Sequence, residues 1–339
     1  MKKRILSWLL VLTMVVSLIP STLITSAFAA DVSGITQELT FGDAENEKGL
    51  NSDSAYTLTG TLSDKVIKVT NNAIVTLYLK GVTMTADTSP IQVESGSTLT
   101  LVVADNTDNT ITCTATAANA TNNGMTAGIH VPDGATLNID TPKNGTGTGK
   151  LTVNGGYGGA GIGGKAGVGT NAGQTAASGK VGQTTYWVDA CVSHDDRTEV
   201  KPKGGAAGTG GEQGNDAESA GAINILNGVV SATGGYGGAG IGGGMGAAGG
   251  SGKAGSAGEN SDSKKMNSPV GIAQRDHVSS WDGDWGGAGG GAGGNGGTGG
   301  AGGNVSTINI SGGTVNAVAG DRAAAIGGGA GGPGGAPGK

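Results

Sequence analysis

The side chains best suited to ligand chemistry lie in two short polar segments within long glycine-rich tracts, at 183–203 and 259–285. Exposed aromatic faces beside hydrogen-bonding side chains are typical of sugar-binding sites, because a sugar ring presents both apolar and hydroxyl surfaces. The alternative is that the tryptophans pack together as a small cap that holds the glycine-rich arms. The candidate ligand-binding residues are Tyr186, Trp187, Asp189, Trp281, Asp282, Asp284 and Trp285.

The same segments contain candidate metal ligands. Ca²⁺ prefers six to eight oxygen ligands, and the candidates are Asp195, Asp196, Asp282 and Asp284. There is no twelve-residue EF-hand loop, and solvated acidic turns are the alternative. His194 and His277 each adjoin an aspartate, but neither has a nucleophile partner that would indicate hydrolase chemistry. Ca²⁺ is the one cofactor that the sequence suggests.

The mature chain has two cysteines, Cys113 and Cys191. Export from the cell permits a disulfide between them. Cys113 lies in a strand-like run and Cys191 in a polar segment, so the pairing is a hypothesis. No Cys-x-x-Cys motif indicates a metal or redox site.

Residues 1–30 have the order of a secretory signal peptide, with Lys2, Lys3 and Arg4 before an apolar run and small residues near Ala30. A single membrane anchor is the alternative, but the run is short for a span, and no later segment resembles one. Removal of the signal leaves 17 basic and 26 acidic side chains, a net charge of about −9. That charge does not favour nucleic acid. We therefore expect a secreted protein, at the cell surface or free.

Glycine dominates the second half of the chain. Of the 72 glycines, 12 lie in residues 31–150 and 60 in residues 151–339. Only 11 residues are aromatic (4 Trp, 5 Tyr and 2 Phe), too few for the core of an ordinary compact enzyme of this length. Collagen requires strict Gly-X-Y triplets with abundant proline, whereas the chain has 8 Pro and an irregular glycine spacing.

From Tyr56 to Val153, apolar residues alternate in short runs with the period of two that indicates β-strands. Glycine, asparagine and aspartate separate the runs, as turns require. Asp105, Asn106, Asp108 and Asn109 are predicted to form such a corner rather than a ligand site. His130 lies between two apolar residues, so we expect its side chain to face outward from the core.

Internal repeats favour a solenoid. The block from Gly155 to Gly164 recurs unchanged from Gly234 to Gly243, and a looser copy ends at Gly329. Each block follows a pair of strand-like runs, and a unit of about two dozen residues is the size of one solenoid coil. The fold class is therefore predicted as all-β, a right-handed parallel β-helix with two long glycine-rich insertions that project from one face. Their arms are either flexible coil or ordered, extended strands with threefold periodicity.

The predicted segments of the chain are 1–30 signal peptide, 31–48 lead-in, 49–164 coils, 165–220 first insertion with tip 183–203, 221–244 coil, 245–303 second insertion with tip 259–285, 304–329 coil and 330–339 the start of a third arm. We expect this third arm to be truncated from a longer repeat protein.

The run Tyr56-Thr-Leu-Thr-Gly60 and the turn Asp105-Asn-Thr-Asp-Asn109 resemble the opening coils of a bacterial family over roughly residues 49–164. That family comprises secreted right-handed parallel β-helix proteins of the carbohydrate-binding type, found among anaerobic Gram-positive bacteria. The glycine-rich coils are also similar to repeats of large cell-surface proteins in such bacteria. The resemblance implies binding of plant cell-wall polysaccharide, including acidic pectic chains, with calcium.

The sequence thus predicts a secreted, non-enzymatic protein that binds carbohydrate or acts as an adhesin, with cellulose or pectic chains as partners. One alternative is a structural surface or fibre protein that self-associates through its glycine-rich arms. A second alternative is a polysaccharide lyase or hydrolase on a β-helix, although the coils offer no evident cluster of Asp, Lys and Arg, and fold alone does not confer activity.

Overall fold

A computed structural model describes residues 30–117, 124–169, 206–256 and 291–338, together with the backbone of the strands at 186–188 and 198–200. The chain forms two compact units. Unit 1 comprises Met1–Val168, Asp216–Ala247 and Ala301–Gly331, and unit 2 comprises Gly169–Asn215, Ala248–Gly300 and Gly332–Lys339. The predicted signal peptide lies outside the described residues except for Ala30.

The described residues are organised as strands joined by turns and loops. In chain order the strands are β1 Glu47–Leu50, β2 Ser54–Ser63, β3 Val66–Val69, β4 Ile74–Ala86, β5 Ile91–Val93, β6 Thr98–Val103, β7 Asp108–Cys113, β8 Ile129–His130, β9 Thr136–Asp140, β10 Lys150–Asn154, β11 Ile162–Gly163, β12 Tyr186–Val188, β13 Thr198–Val200, β14 Ala220–Ile225, β15 Val229–Thr233, β16 Ile241–Gly242, β17 Val305–Ile310, β18 Thr314–Val318 and β19 Ile326–Gly327. The predicted all-β class is confirmed.

Unit 1 contains two large sheets whose paired strands are parallel. The first has the order β1-β3-β5-β8-β11-β16-β19, and the second has the order β17-β14-β9-β6-β4-β7-β10-β15-β18, with β2 beside β4. Along the chain, strands of the first sheet alternate with one or two strands of the second sheet, and the separate pair of β12 and β13 follows β11. Neighbouring strands therefore come from successive turns of the chain.

The long strand β4 joins the two halves of the second sheet. Its first part pairs with β6 and its last part pairs with β7. Between these parts lies Gly81, which has a φ of 71°. A residue with a Cβ atom adopts that backbone conformation only at a cost. Glycine therefore allows β4 to serve both halves of the sheet.

The core of unit 1 is built from the alternating residues that the sequence pattern indicates. In β9, Leu137 and Ile139 are fully buried while Asn138 between them is half-buried. The recurring glycine-rich blocks align in register, because Ile162 pairs with Ile241 and Ile241 with Ile326. Ile, Val and Leu from successive turns thus stack on one another and fill the core, so few aromatic residues are needed.

Unit 2 contains four glycine-rich segments, which we call arm 1 (206–215), arm 2 (248–256), arm 3 (291–300) and arm 4 (332–338). Hydrogen bonds between them recur at every third residue. Arm 1 donates to arm 3 from the amides of Gly208, Gly211 and Gly214, over 2.7, 2.7 and 2.9 Å. Three residues per turn is the period of the polyproline II conformation. The described arms therefore favour the ordered, threefold alternative over flexible coil.

The arms run in alternating directions. Arm 2 donates to arm 1, arm 3 donates to arm 2 and arm 4 donates to arm 3, each time with antiparallel pairing. Arms 1 and 3, and arms 2 and 4, are parallel pairs. The four segments thus form a bundle with five contacts between neighbours.

Each of these five contacts has its own column of glycines. A Cβ atom at Gly208 or at Gly338 would collide with a carbonyl of arm 2. A Cβ atom at Gly252 would collide with a carbonyl of arm 3. Arm 3 has two such columns, with Gly297 against arm 1 and Gly299 against arm 4. No described residue of the arms has a positive φ, so glycine is required here for close approach of the backbones.

The backbone of the first polar tip includes an antiparallel strand pair. In this pair β12 lies beside β13, and Trp187 is opposite Glu199. The rest of 183–203 and the whole of 259–285 lie outside the described residues.

Candidate functional site

A column of polar residues runs along the outer side of the first sheet, which has seven strands. Lys68 in β3 pairs with Gln92 in β5, and Gln92 pairs with His130 in β8. Ile67 and Val69 belong to the core, so alternation places Lys68 on the opposite side of its strand. The strand pattern and the parallel register together bring these three residues side by side.

The column lines a groove of about 300 Å³ in unit 1. Turn residues that follow the strands complete its walls. The lining residues are Lys68, Gln92, Val93, Glu94, Ser95, Met125, His130, Pro132, Asp133 and Glu218. Seven of these ten residues are polar or charged, so the groove is rich in groups that make directional contacts.

His130 is the most enclosed polar side chain of the groove, with 7% of its surface exposed. Its Nε2 atom lies 2.7 Å from Oε2 of Glu218, and Lys165 lies 3.7 Å from the same oxygen. The sequence correctly predicts that His130 points away from the core. The side chain is nevertheless buried, because Glu218, 88 residues later, covers it.

Burial raises the pKa of Glu218, but the hydrogen bond with His130 and the charges of His130 and Lys165 outweigh that effect. The pKa of Glu218 is therefore below its ordinary value, and the carboxylate is charged at neutral pH.

Gln92 has one polar atom to offer a ligand. Its side chain is almost fully buried, and its Nε2 donates to the carbonyl of Ser89 over 3.0 Å. This bond fixes the amide orientation, so the oxygen is the remaining atom. Among the described residues, none donates a hydrogen bond to that oxygen. The amide oxygen is therefore an acceptor at the groove that a ligand can use.

The charges of the groove are unequal. Glu94, Asp133 and Glu218 are carboxylates, whereas Lys68 is the one lysine or arginine of the lining. Lys68 is itself bound to Glu47 over 2.7 Å. The Asp133 carboxylate accepts a hydrogen bond from Ser306 over 2.7 Å. The strand pattern alone predicts no such cluster, because its members lie in different turns of the chain.

Most of the candidates in the polar tips lie outside the described residues, namely Asp189, Asp195, Asp196, Trp281, Asp282, Asp284 and Trp285. Tyr186 and Trp187 are described only as backbone in β12. Within the described ranges, no group of three His, Cys, Asp or Glu residues is placed to hold a metal. Sugar and calcium binding by the tips remain predictions.

Cys113 is buried, and burial raises the pKa of its thiol to about 11. A thiol with so high a pKa is protonated and unreactive at neutral pH. It forms no disulfide with another described residue. Cys191 lies outside the described residues, so the disulfide between the two stays a prediction.

The predicted corner at 105–109 acts through bonds to neighbouring turns of the chain. The Asp105 carboxylate accepts from the amides of Thr146 and Thr148 over 2.7 and 3.0 Å. These bonds, with that from Thr146 the strongest, hold the pKa of Asp105 below its ordinary value. The buried Asn109 accepts from the amide of Val82 over 2.9 Å. Both side chains therefore have structural roles.

A stacked pair of tyrosines is a further surface feature of unit 1. The rings of Tyr157 and Tyr236 lie 5.1 Å apart at an angle of 15°, and Tyr236 is 47% exposed. The ten-residue repeat contains both residues and predicts that they occupy equivalent positions.

No family model, curated protein or solved structure matches this chain. Within the described part of the chain, no helix has the length and apolar character needed to cross a membrane.

Proposed function

We propose that this protein is a secreted, non-enzymatic carbohydrate-binding protein that acts at the cell surface or on plant cell-wall polysaccharide. The groove on the seven-stranded sheet carries the proposal, because the amide oxygen of Gln92 is a hydrogen-bond acceptor beside the ionic side chains of the lining. Sugar hydroxyls require such directional partners. The signal-like N-terminus supports secretion.

We further propose that unit 1 is a right-handed parallel β-helix with two long glycine-rich insertions that leave from one face. The parallel pairing of strands from successive turns supports the helix, and parallel crossover connections are right-handed in almost all proteins. The register of β11 with β16, and of β14 with β17, supports insertions at the same point of each turn.

The test is a binding measurement on an array of neutral and charged oligosaccharides, followed by titration of the best ligand. Gln92→Leu keeps the side-chain volume but removes the amide, and we expect it to weaken binding by about tenfold. The matched control is Gln37→Leu, at an exposed glutamine of the lead-in. Normal binding by folded Gln92→Leu, or no binding of any sugar by the wild type, would contradict the proposal.

The polar tips are a separate candidate for polysaccharide binding, as the resemblance implies. Retention on cellulose and pectin columns, with and without a chelator, tests them in a triple variant with Trp187, Trp281 and Trp285 changed to Ala. We expect loss of retention, and a chelator effect if Asp195, Asp196, Asp282 or Asp284 binds Ca²⁺. Unchanged retention of the folded triple variant would show that the tips do not bind polysaccharide.

A structural role in a surface layer or fibre is the second candidate function, and the glycine-rich bundle of unit 2 favours it. In that case the protein self-associates and no sugar on the array binds. Sedimentation over a range of concentrations, together with the array, separates this role from carbohydrate binding. The lyase or hydrolase alternative predicts release of products from polygalacturonate.

A further inference from the structure

We infer that the groove of unit 1 selects glycans that bear primary ammonium groups, such as oligomers of glucosamine. The inference rests on the proposed carbohydrate binding and names its substrate class. It concerns the groove alone, and the polar tips remain separate candidates for neutral or acidic polysaccharide.

The charged side chains of the groove favour a cationic ligand. The lining has three carboxylates, from Glu94, Asp133 and Glu218, against the single ammonium of Lys68. The partner of Lys68, Glu47, adds another carboxylate 2.7 Å from that ammonium. The groove therefore has a surplus of negative charge even when Lys165 and a protonated His130, both beside Glu218, are counted. A uronate carboxylate would meet charges of its own sign, whereas an ammonium group would meet opposite charge.

The groove also supplies hydrogen-bond acceptors. An ammonium group donates three hydrogen bonds and accepts none, so its site must supply acceptors. The oxygen of Gln92 is such an acceptor, because the amide nitrogen is already bound to Ser89. The carboxylate of Glu94 is a second acceptor, and its side chain is exposed and bonds to no described residue. Hydrogen bonds to charged groups are stronger than neutral ones.

The groove also offers an apolar contact. Met125 is the apolar lining residue that is not buried, and the C–H groups of a sugar ring can pack against it. A volume of about 300 Å³ lies at the lower end of ligand pockets, so the groove holds a short stretch of a glycan. A peptide rich in lysine has the same charge but lacks the ring.

The experiment is calorimetric titration of the full chain with three tetrasaccharides, composed of glucosamine, N-acetylglucosamine or galacturonic acid, under conditions in which the amines are protonated. A tetralysine peptide is the fourth ligand. We expect the glucosamine oligomer to bind about tenfold more tightly than its acetylated counterpart. We also expect this preference to shrink as salt is added.

Two variants locate the effect. Glu94→Gln is expected to lower the preference for glucosamine over its acetylated form to less than about threefold, since one of the acceptors becomes neutral. The matched control is Asp108→Asn, which removes an exposed carboxylate in β7 of the second sheet and should leave the preference unchanged.

Several results would overturn the inference while the proposed function stands: equal binding of the amino and acetylated sugars, tighter binding of galacturonate, or a preference that survives Glu94→Gln. Equal binding of tetralysine would also overturn it, because the site would then recognise charge alone. If none of the three sugars binds and the oligosaccharide array is also negative, the proposed carbohydrate binding fails together with the inference.

Discussion

At the scale of residues, contacts between distant parts of the sequence decide which polar side chains are available to a ligand. His130 is a single residue in a two-residue strand, and its burial depends on Glu218 from a later turn of the chain. Asn109 looks like a turn former in the sequence, but its side chain bonds to Val82 on a neighbouring strand. Alternation predicts the side of the strand on which such residues lie, but it cannot predict their partners.

The pair of His130 and Glu218 makes stability depend on pH. Because the folded-state pKa of Glu218 is lowered from an ordinary value of 4.5, its contribution is present above about pH 4.5 and is lost as the pH falls through the folded-state value. Glu218→Gln should therefore reduce the acid sensitivity of the unfolding free energy. Urea unfolding at a series of pH values measures it.

The matched control is Glu212→Gln, at an exposed carboxylate of arm 1. It should leave the slope of the unfolding free energy against pH unchanged. If Glu218→Gln shows the same slope as the wild type below pH 4.5, the pair does not stabilise the folded state.

At the scale of elements, turn glycines and the period of two position the sheets. The sequence pattern from Tyr56 onward predicted most of the strands, because the side chains alternate between the core and the outside. It did not reveal that Ser54–Ser63 and Ile74–Ala86 are long strands that continue past a glycine with positive φ, at Gly60 and Gly81. A glycine in a strand usually indicates an end or a bulge, and only the pairing of β4 with both β6 and β7 shows its continuity.

A substitution at Gly81 measures the cost of the positive φ in β4. A Cβ atom there meets nothing within 4 Å, so the cost of Gly81→Ala arises from its φ of 71° alone. We expect the free energy of unfolding to fall by about 1 kcal/mol. Thermal or urea unfolding measures the change.

Gly49→Ala is the matched control, since Gly49 is an exposed strand glycine with open space around it and no positive φ. It should be neutral or slightly stabilising. Equal effects of the two substitutions would mean that the backbone at Gly81 imposes no conformational cost.

At the scale of the whole molecule, glycine has two roles. In unit 1 it occupies corners such as Gly134 and Gly228, with φ of 80° and 93°, and it also allows backbones of successive turns to approach, as at Gly235 and Gly238. In unit 2 it allows backbones to approach, because the described arms have no positive φ and a Cβ atom would collide with a neighbouring carbonyl. Composition showed the excess of glycine, but it could not distinguish these two roles.

The bundle predicts which glycines tolerate a side chain. Gly297→Ala places a Cβ against the carbonyl of Glu212, so we expect overpacking to destabilise the bundle by about 1–3 kcal/mol. Hydrogen exchange at the amides of arms 1 and 3 should become faster. Gly334→Ala is the control, because its Cβ would lie 3.6 Å from the nearest atom, an ordinary contact. Slow exchange preserved in Gly297→Ala would argue against the close packing of these arms.

The sequence by itself determined the all-β class, the segments with a period of two, and the equivalence of Ile162, Ile241 and Ile326, because all three follow from the local order of side chains and turns. Only the tertiary structure decided the groove and the bundle. Lys68, Gln92 and His130 become neighbours because parallel strands from successive turns stack in register. The glycine columns are needed because arms far apart in the chain hydrogen-bond at every third residue. Such contacts depend on which turn lies beside which, and a linear pattern does not contain that information.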